Sequence, residues 1–444
     1  MTESLDPAAM LRSRRYVGLL LIAGALGVPV SAAAFGFLAL TEKLQTWVFA
    51  DLPKVLGFAG APVWWPVPVL VVAGALVGAA IRYLPGAGGE PPTEGFKAQG
   101  APVLRELPGV ALAALATLSA GAVLGPEAPL ITLGGGLAVL AVRLAKRDAP
   151  PQLLSVVAAS GSFAAVSTLL GSPILGAFLL MEAAGLGGSV LSLVLVPGLL
   201  GAGTGSLIFI GLDSWTGLGT FSLRLPDVPD YSRPDVAEFA WAIAIGVAAA
   251  LLGTAIRRLA KAIQPFAQRH LLLVTPLLGL IIALLAMTYT AGTGKPSSQV
   301  LFSGETAVGP LIAHSAEYSV ASLLLLIACK GLAYTASLSG FRGGPTFPAM
   351  FLGAAGGVLL SHLVGLSLVA GVAMGIGAMS VVMLRLPLTS VMLATLLLFS
   401  DGLAVMPLVI VAVTVAYVVS AQLTPVVAAE PAPAPGQGPA PHRR

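Results

Sequence analysis

Gly125-Pro126-Glu127-Ala128-Pro129-Leu130-Ile131-Thr132-Leu133-Gly134 and Gly344-Pro345-Thr346-Phe347-Pro348-Ala349-Met350-Phe351-Leu352-Gly353 share one pattern, G-P-x-x-P-x-x-x-L-G, in the two halves of the chain. A Pro-led apolar segment follows each copy, Pro173-Ile174-Leu175-Gly176 in the first half and Pro387-Leu388-Thr389-Ser390 in the second. Paired hydrophobic segments interrupted by Gly and Pro at corresponding positions mark an internal repeat with a binding site near the membrane midplane.

The composition agrees with a membrane setting. Of 444 residues, 23 are Lys or Arg and 19 are Asp or Glu, so 9% are charged, against roughly 25% in a soluble domain. Hydrophobic residues reach 57% and the mean hydropathy is +0.95. So few charges cannot cover the surface of a soluble protein this long, which excludes cytosolic enzymes and nucleic-acid-binding modules. The single cysteine, Cys329, rules out an intramolecular disulfide, and His270, His314, His362 and His442 are scattered, so no metal site is expected. No nucleophile–base pair stands out, and neither enzymatic activity nor a cofactor is expected.

A straight span needs about 20 apolar residues. Such runs occur near 17–47, 64–84, 236–266, 271–291, 319–339 and 404–423, while shorter or interrupted stretches lie near 108–124, 127–143, 152–170, 173–184, 190–212, 347–364, 367–384 and 387–400. The pattern predicts an all-α polytopic membrane protein built as an inverted repeat, with many tilted, broken and re-entrant helices. The segments are 1–16 (cytoplasmic), 17–212 (first half), 213–235 (linker), 236–424 (second half) and 425–444 (a disordered Pro/Ala-rich tail). Arg12, Arg14 and Arg15 place the N-terminus in the cytoplasm. Basic loops with Arg143, Lys146 and Arg147, and with Arg257, Arg258, Lys261 and Arg269, belong on the same side. The acidic stretch with Asp227, Asp230, Asp235 and Glu238 belongs outside.

The repeated motif carries a chemistry. Proline at a helix start lacks only a donor that would be unsatisfied there anyway. The next free N–H groups point out of a helix end where the dipole is positive. Two such ends at mid-membrane make an anion site without a bare cation, which would be costly there and would hold an anion too tightly. Glu127, an acid one residue past a helix-starting proline, is a functional candidate on the same grounds.

At these residues the chain resembles the CLC family of chloride channels and chloride/proton antiporters, over most of residues 15–423. Gly125-Pro126-Glu127-Ala128-Pro129 is similar to the family's G-K/R-E-G-P motif, and Gly344-Pro345-Thr346-Phe347-Pro348 to its G-x-F-x-P motif, with Thr346 in the Phe position. Ala87-Gly88-Gly89-Glu90-Pro91 aligns with G-S-G-I-P, and Pro173 through Glu182 with the P-L-x-G-x-L-F-x-x-E helix. The resemblance implies a chloride pathway with Glu127 as gating glutamate and Gly88, Gly89, Gly125, Ala128, Thr346 and Phe347 around the anion. It also implies a homodimer in the cell membrane, multi-pass with both termini cytoplasmic, joined through helices near 173–212 and 387–423. Its partners are a small inorganic anion, with chloride as substrate, and the lipid bilayer; no nucleic acid and no cofactor are implied.

Three departures bear on mechanism. Gly88 stands where the family has a Ser whose hydroxyl meets the anion. No Tyr follows the last span, and Tyr417 lies inside it. Ala183 stands where antiporters carry an inner proton-transfer Glu, next to Glu182, which reads mainly as structural although it also offers a proton path together with Glu127. The missing hydroxyls predict a wider inner gate, and the sum predicts channel-like or weakly proton-coupled conduction. Two alternatives stay open, a chloride/proton antiporter with an unorthodox proton path and an unrelated inverted-repeat carrier of an organic anion. Lys330 and Arg342 either raise the potential along the anion path or snorkel to the interface, and Arg385 reads as a cytoplasmic anchor.

Overall fold

A computed structural model describes residues 12–95, 101–185, 188–216, 231, 233–398 and 402–424. The predicted tail and most of the predicted linker lie outside the described residues. Among the described residues fifteen main helices carry the fold. In the first half they are α1 Arg14–Thr46, α2 Pro66–Tyr83, α3 Leu107–Ser119, α4 Glu127–Ala145, α5 Pro151–Leu170, α6 Pro173–Ala183 and α7 Gly188–Thr216. The second half holds α8 Val236–Arg269, α9 Leu271–Thr293, α10 Glu305–Ala313, α11 Val320–Gly340, α12 Thr346–Ser361, α13 Leu368–Leu384, α14 Pro387–Leu397 and α15 Gly402–Leu423.

Among the described residues, eight helical segments are long and apolar enough to cross a membrane, and α6, α12, α13 and α14 are shorter apolar helices. The chain is a multi-pass membrane protein. Two stretches read from sequence as interrupted are full-length, α4 and α5. The Gly134-Gly135-Gly136 run is a packing face and not a break. A Cβ on Gly134 would lie 2.5 Å from Ala165 Cβ and 2.6 Å from the Gly161 carbonyl, so small residues let α4 and α5 approach backbone to backbone. The second half repeats the device. A Cβ on Gly357 of α12 would stand 2.6 Å from the Val372 nitrogen of α13.

The halves interlock. Gly78 of α2 rests against Leu271 at the start of α9, and a Cβ there would lie 2.9 Å from the Leu271 carbonyl. Gly109 of α3 rests against Pro85, just past the end of α2, while Gly136 in the second part of α4 meets Leu107 at the start of α3. The C-terminal ends of α2, α4 and α8 therefore share one end of the bundle. That end collects Arg143, Lys146 and Arg147 with Arg257, Arg258, Lys261 and Arg269, as the charge pattern predicts. The last four differ from expectation in belonging to the C-terminal half of α8 and not to a loop. At 34 residues, α8 runs about 50 Å, more than a bilayer core, so it tilts or protrudes. An Asp235–Glu238 capping box opens it at the far end.

Lys330 is fully buried in α11 and does not snorkel. Its Nζ donates to the carbonyls of Gln299 (3.0 Å), Val300 (3.1 Å), Leu301 (3.2 Å) and Phe302 (3.3 Å) and lies 4.4 Å from the Phe351 ring centroid. Phe302 has φ +62°, a left-handed backbone costing a bulky residue about 1–2 kcal/mol. Its N–H donates to Gly121 O at 3.0 Å, four residues before the first motif. The ammonium thus braces the turn on which the first motif leans. Lys330→Met keeps the length and removes the donor, leaving four carbonyls short of a partner. Its expected cost is about 3 kcal/mol or more, read as a lower melting temperature in detergent; an unchanged melting temperature would refute the brace.

Candidate functional site: two helix mouths and a buried carboxylate

Each copy of the motif breaks the chain inside the bundle and starts a helix. Pro126 caps α4 and Pro345 caps α12. Pro129 and Pro348 occupy the third helical position, where they contribute no donor. Each mouth is left with two N–H groups, those of Glu127 and Ala128 and those of Thr346 and Phe347, with no carbonyl one turn back to meet. The two mouths are joined. Gly125 N–H donates to Gly344 O at 2.8 Å and Gly344 N–H to Gly125 O at 2.6 Å, the one isolated β-bridge among the described residues.

The Glu127 side chain fills the space between them. It is fully buried, and Oε1 accepts the Phe347 N–H of the opposite mouth at 3.1 Å. Oε2 makes no hydrogen bond of good geometry, nor does the buried Thr346 hydroxyl beside it. A Cβ on Gly125 would lie 2.6 Å from the Glu127 carboxyl carbon, and one on Gly344 would collide with Oε2. Only glycine at both positions leaves room for the carboxylate. Backbone behind the site is held by Val123 N–H to Ser337 Oγ (2.9 Å) and by Tyr334 Oη to Pro345 O (2.6 Å).

The remaining predicted residues divide. Ala128 shares the first mouth with Glu127. Gly88 and Gly89, at φ +70° and +95°, lie instead beside Arg342, whose Nε donates to Ala87 O at 3.1 Å. Arg342 is buried and does not snorkel. The loss of the Ser hydroxyl has a local reason, because residue 88 is left-handed and a Cβ there would lie 2.9 Å from Ala113 Cβ. Glu182 is remote in role. Its Oε1 accepts Leu388 N–H (2.9 Å), and its Oε2 accepts Thr389 N–H (2.8 Å) and Thr389 Oγ1 (2.7 Å). It caps the start of α14 as a helix-end carboxylate does. Arg385 closes α13 in a left-handed conformation and donates to Thr424 Oγ1 at 2.9 Å.

Below Pro345, toward the basic end, the space is a cavity of about 10 Å³ lined by Pro92, Thr93, Arg257, Leu338, Pro345 and Met383. Arg257, expected in a basic loop, sits within α8 and donates from Nη1 to Val382 O at 2.8 Å. Its place among small apolar residues in mid-helix is the signal that was available. Glu305 also escaped notice. This half-buried residue opens α10, and burial pushes its carboxyl up to about 8, with the negative charges of Glu127 and Glu42 acting the same way.

Residues 73–421 match the family model described as voltage gated chloride channel. "Putative ion-transport protein YfeO" of Escherichia coli (strain 55989 / EAEC) is 31% identical over 359 residues, covering 79% of this chain and 80% of the relative. Among solved structures, a slow cyanobacterial Cl-/H+ antiporter superposes with TM-score 0.75 at 20% identity, over 91% of this chain and 94% of that one. A eukaryotic CLC transporter superposes with TM-score 0.70 at 17% identity, over 92% and 72%. A CLC-type fluoride/proton antiporter gives 0.62 at 20% identity, over 91% and 95%. These likenesses fix the fold, and with the family match they show that the chain belongs to the CLC family of anion transport proteins.

Proposed function

We propose that the chain carries chloride, or a similar small anion, across the cell membrane through a path between the two helix mouths, with Glu127 as its gate. One observation carries this reading: the Glu127 carboxylate accepts the Phe347 N–H in the place an anion would occupy. The amides of Glu127, Ala128, Thr346 and Phe347 are the donors an anion would find once the carboxylate leaves, with Gly125 making room. Gly88 and Gly89 belong to the neighbouring turn on the basic side. That side faces the cytoplasm on the positive-inside rule, with both termini there, and the protein works as a homodimer through α6, α7, α14 and α15.

Conduction is channel-like or weakly proton-coupled on this reading. Ala183 does not titrate, and both Glu182 oxygens are engaged at the start of α14, so Glu182 is a poor partner for Glu127 in a proton path. Antiport is the second reading, favoured by the fold shared with proteins named as antiporters. An organic-anion carrier fits less well, because the donors offered between the mouths are the four backbone amides of Glu127, Ala128, Thr346 and Phe347, a set suited to a small anion.

Reconstituted protein given an outward chloride gradient, with potential clamped by valinomycin and internal pH followed, separates the readings. Anion flux with no uphill proton movement is expected; uphill proton movement would replace conduction with antiport.

A deprotonated Glu127 competes with the anion and a protonated one does not, so wild-type flux is expected to rise as pH falls. Glu127→Gln is expected to raise chloride flux and remove this dependence between about pH 4 and 8, around the ordinary carboxyl pKa of about 4.3. Wild-type behaviour in that variant would end the gate assignment.

Gly344→Ala offers an independent check, since its Cβ would evict the carboxylate without removing it. Flux in Gly344→Ala is expected to rise and lose most of its pH dependence, as in Glu127→Gln. Unaltered flux would mean that the seated carboxylate does not obstruct the path.

A further inference from the structure

The cavity below Pro345 joins the turn that follows Gly88 and Gly89, through Pro92 and Thr93, to the second motif, through Pro345. It lies on the basic side of Glu127, and Tyr334 Oη donates to Pro345 O at its edge at 2.6 Å. Four of its six lining residues are proline, leucine or methionine. Thr93 is already committed, its hydroxyl donating to Gln264 Oε1 at 2.6 Å. The polar character of the cavity therefore rests on Arg257.

Arg257 is an unusual cation. Its single hydrogen bond among the described residues uses one of five N–H donors, Nη1 to Val382 O, and no carboxylate pairs with it. Arg385, of the same sign, is a charged side chain whose field acts on it. Arg258, next in the chain, is exposed and donates to Leu423 O. A partly desolvated guanidinium with unspent donors, a like-charged neighbour and no counter-ion is costly unless an anion visits it.

We propose that Arg257 is the inner anion-coordinating residue of the pathway, receiving a small monovalent anion in this cavity by charge-assisted hydrogen bonds and setting which anions pass. It supplies from α8 the donors that Gly88 and the region after the last span do not. The planar fork of guanidinium suits a planar oxyanion such as nitrate better than an ammonium does, so the site discriminates by shape as well as charge. This inference rests on the anion-path reading above.

The test uses full-length protein in proteoliposomes, with Cys329→Ser as background so that an introduced thiol stands alone. Arg257→Cys is expected to raise the half-saturating chloride about tenfold, the loss of a charged hydrogen-bond donor. Modification with 2-aminoethyl methanethiosulfonate restores the positive charge and is expected to bring half-saturation back toward the background value. The sulfonatoethyl reagent is expected not to. A purely structural role for the Val382 bond predicts no such sign-dependent rescue. Arg257→Lys keeps charge and loses the fork, so it is expected to conduct chloride with a lower nitrate-to-chloride flux ratio. Half-saturation unchanged in Arg257→Cys, equal effects of both reagents, or an unchanged ratio in Arg257→Lys each overturns the proposal. If Arg257→Cys fails to fold, the Arg257→Lys ratio decides. Absence of anion flux in the background protein would overturn the transport reading itself, whereas flux sensitive to Glu127 and indifferent to Arg257 removes the inner site alone.

Discussion

Two helix N-termini meet tip to tip inside an apolar bundle, and the rest of the molecule is arranged around that meeting. Backbone that breaks at membrane depth must find partners for its amides and carbonyls. Here each break satisfies the other through the reciprocal Gly125–Gly344 pair. The pairing brings together two positive helix ends, each worth roughly half an elementary charge, so it requires something negative between them. The Glu127 carboxylate, bonded to the Phe347 amide, meets that requirement. An anion would meet it equally well, and this equivalence is the physical content of the gate reading.

Neither half can make this site alone, which explains why the repeat was the most legible feature of the chain. The P-x-x-P spacing showed where helices start, and the acid showed which start mattered. Glu127, Gly125, Thr346 and Phe347 come together as the repeat implies. Interruptions were harder to read. A run such as Gly134-Gly135-Gly136 looks like a break in one dimension, and only the partner helix with Gly161 makes it a contact face. Lys330 and Arg342 had two open readings because a lone cation in an apolar run says nothing about depth. Burial of Lys330 depends on four consecutive carbonyls of a turn some thirty residues away, a geometry without a local signature.

The departures from the family pattern form a connected set. Gly88 adopts φ +70°, a conformation that disfavours serine, and its turn is held by Arg342 through Ala87 O. The same turn continues to Thr93, which lines the cavity with Arg257. Restoring the hydroxyl at position 88 would therefore mean rebuilding a turn and displacing Ala113, more than one side chain's worth of change. In three dimensions the missing serine belongs to a turn whose backbone geometry, Arg342 and Arg257 are connected.

This arrangement places titratable and fixed charge on opposite sides of the proposed path. Toward the outer side stand Glu127 and Glu305, acids that can take up a proton. Toward the inner side stand the guanidinium groups of Arg257 and Arg385. Glu182, the inner acid nearest in sequence to the position antiporters use, has both oxygens engaged by two backbone amides and a hydroxyl at the start of α14. Proton exchange needs a group that changes charge on each side of the anion. On the proposed reading only the outer side has one, and an anion moving inward passes from a carboxylate that must yield to a guanidinium that never changes. Coupling would then need a water path around Arg257, through a cavity of about 10 Å³ that the same anion occupies, so anion and proton would obstruct each other there.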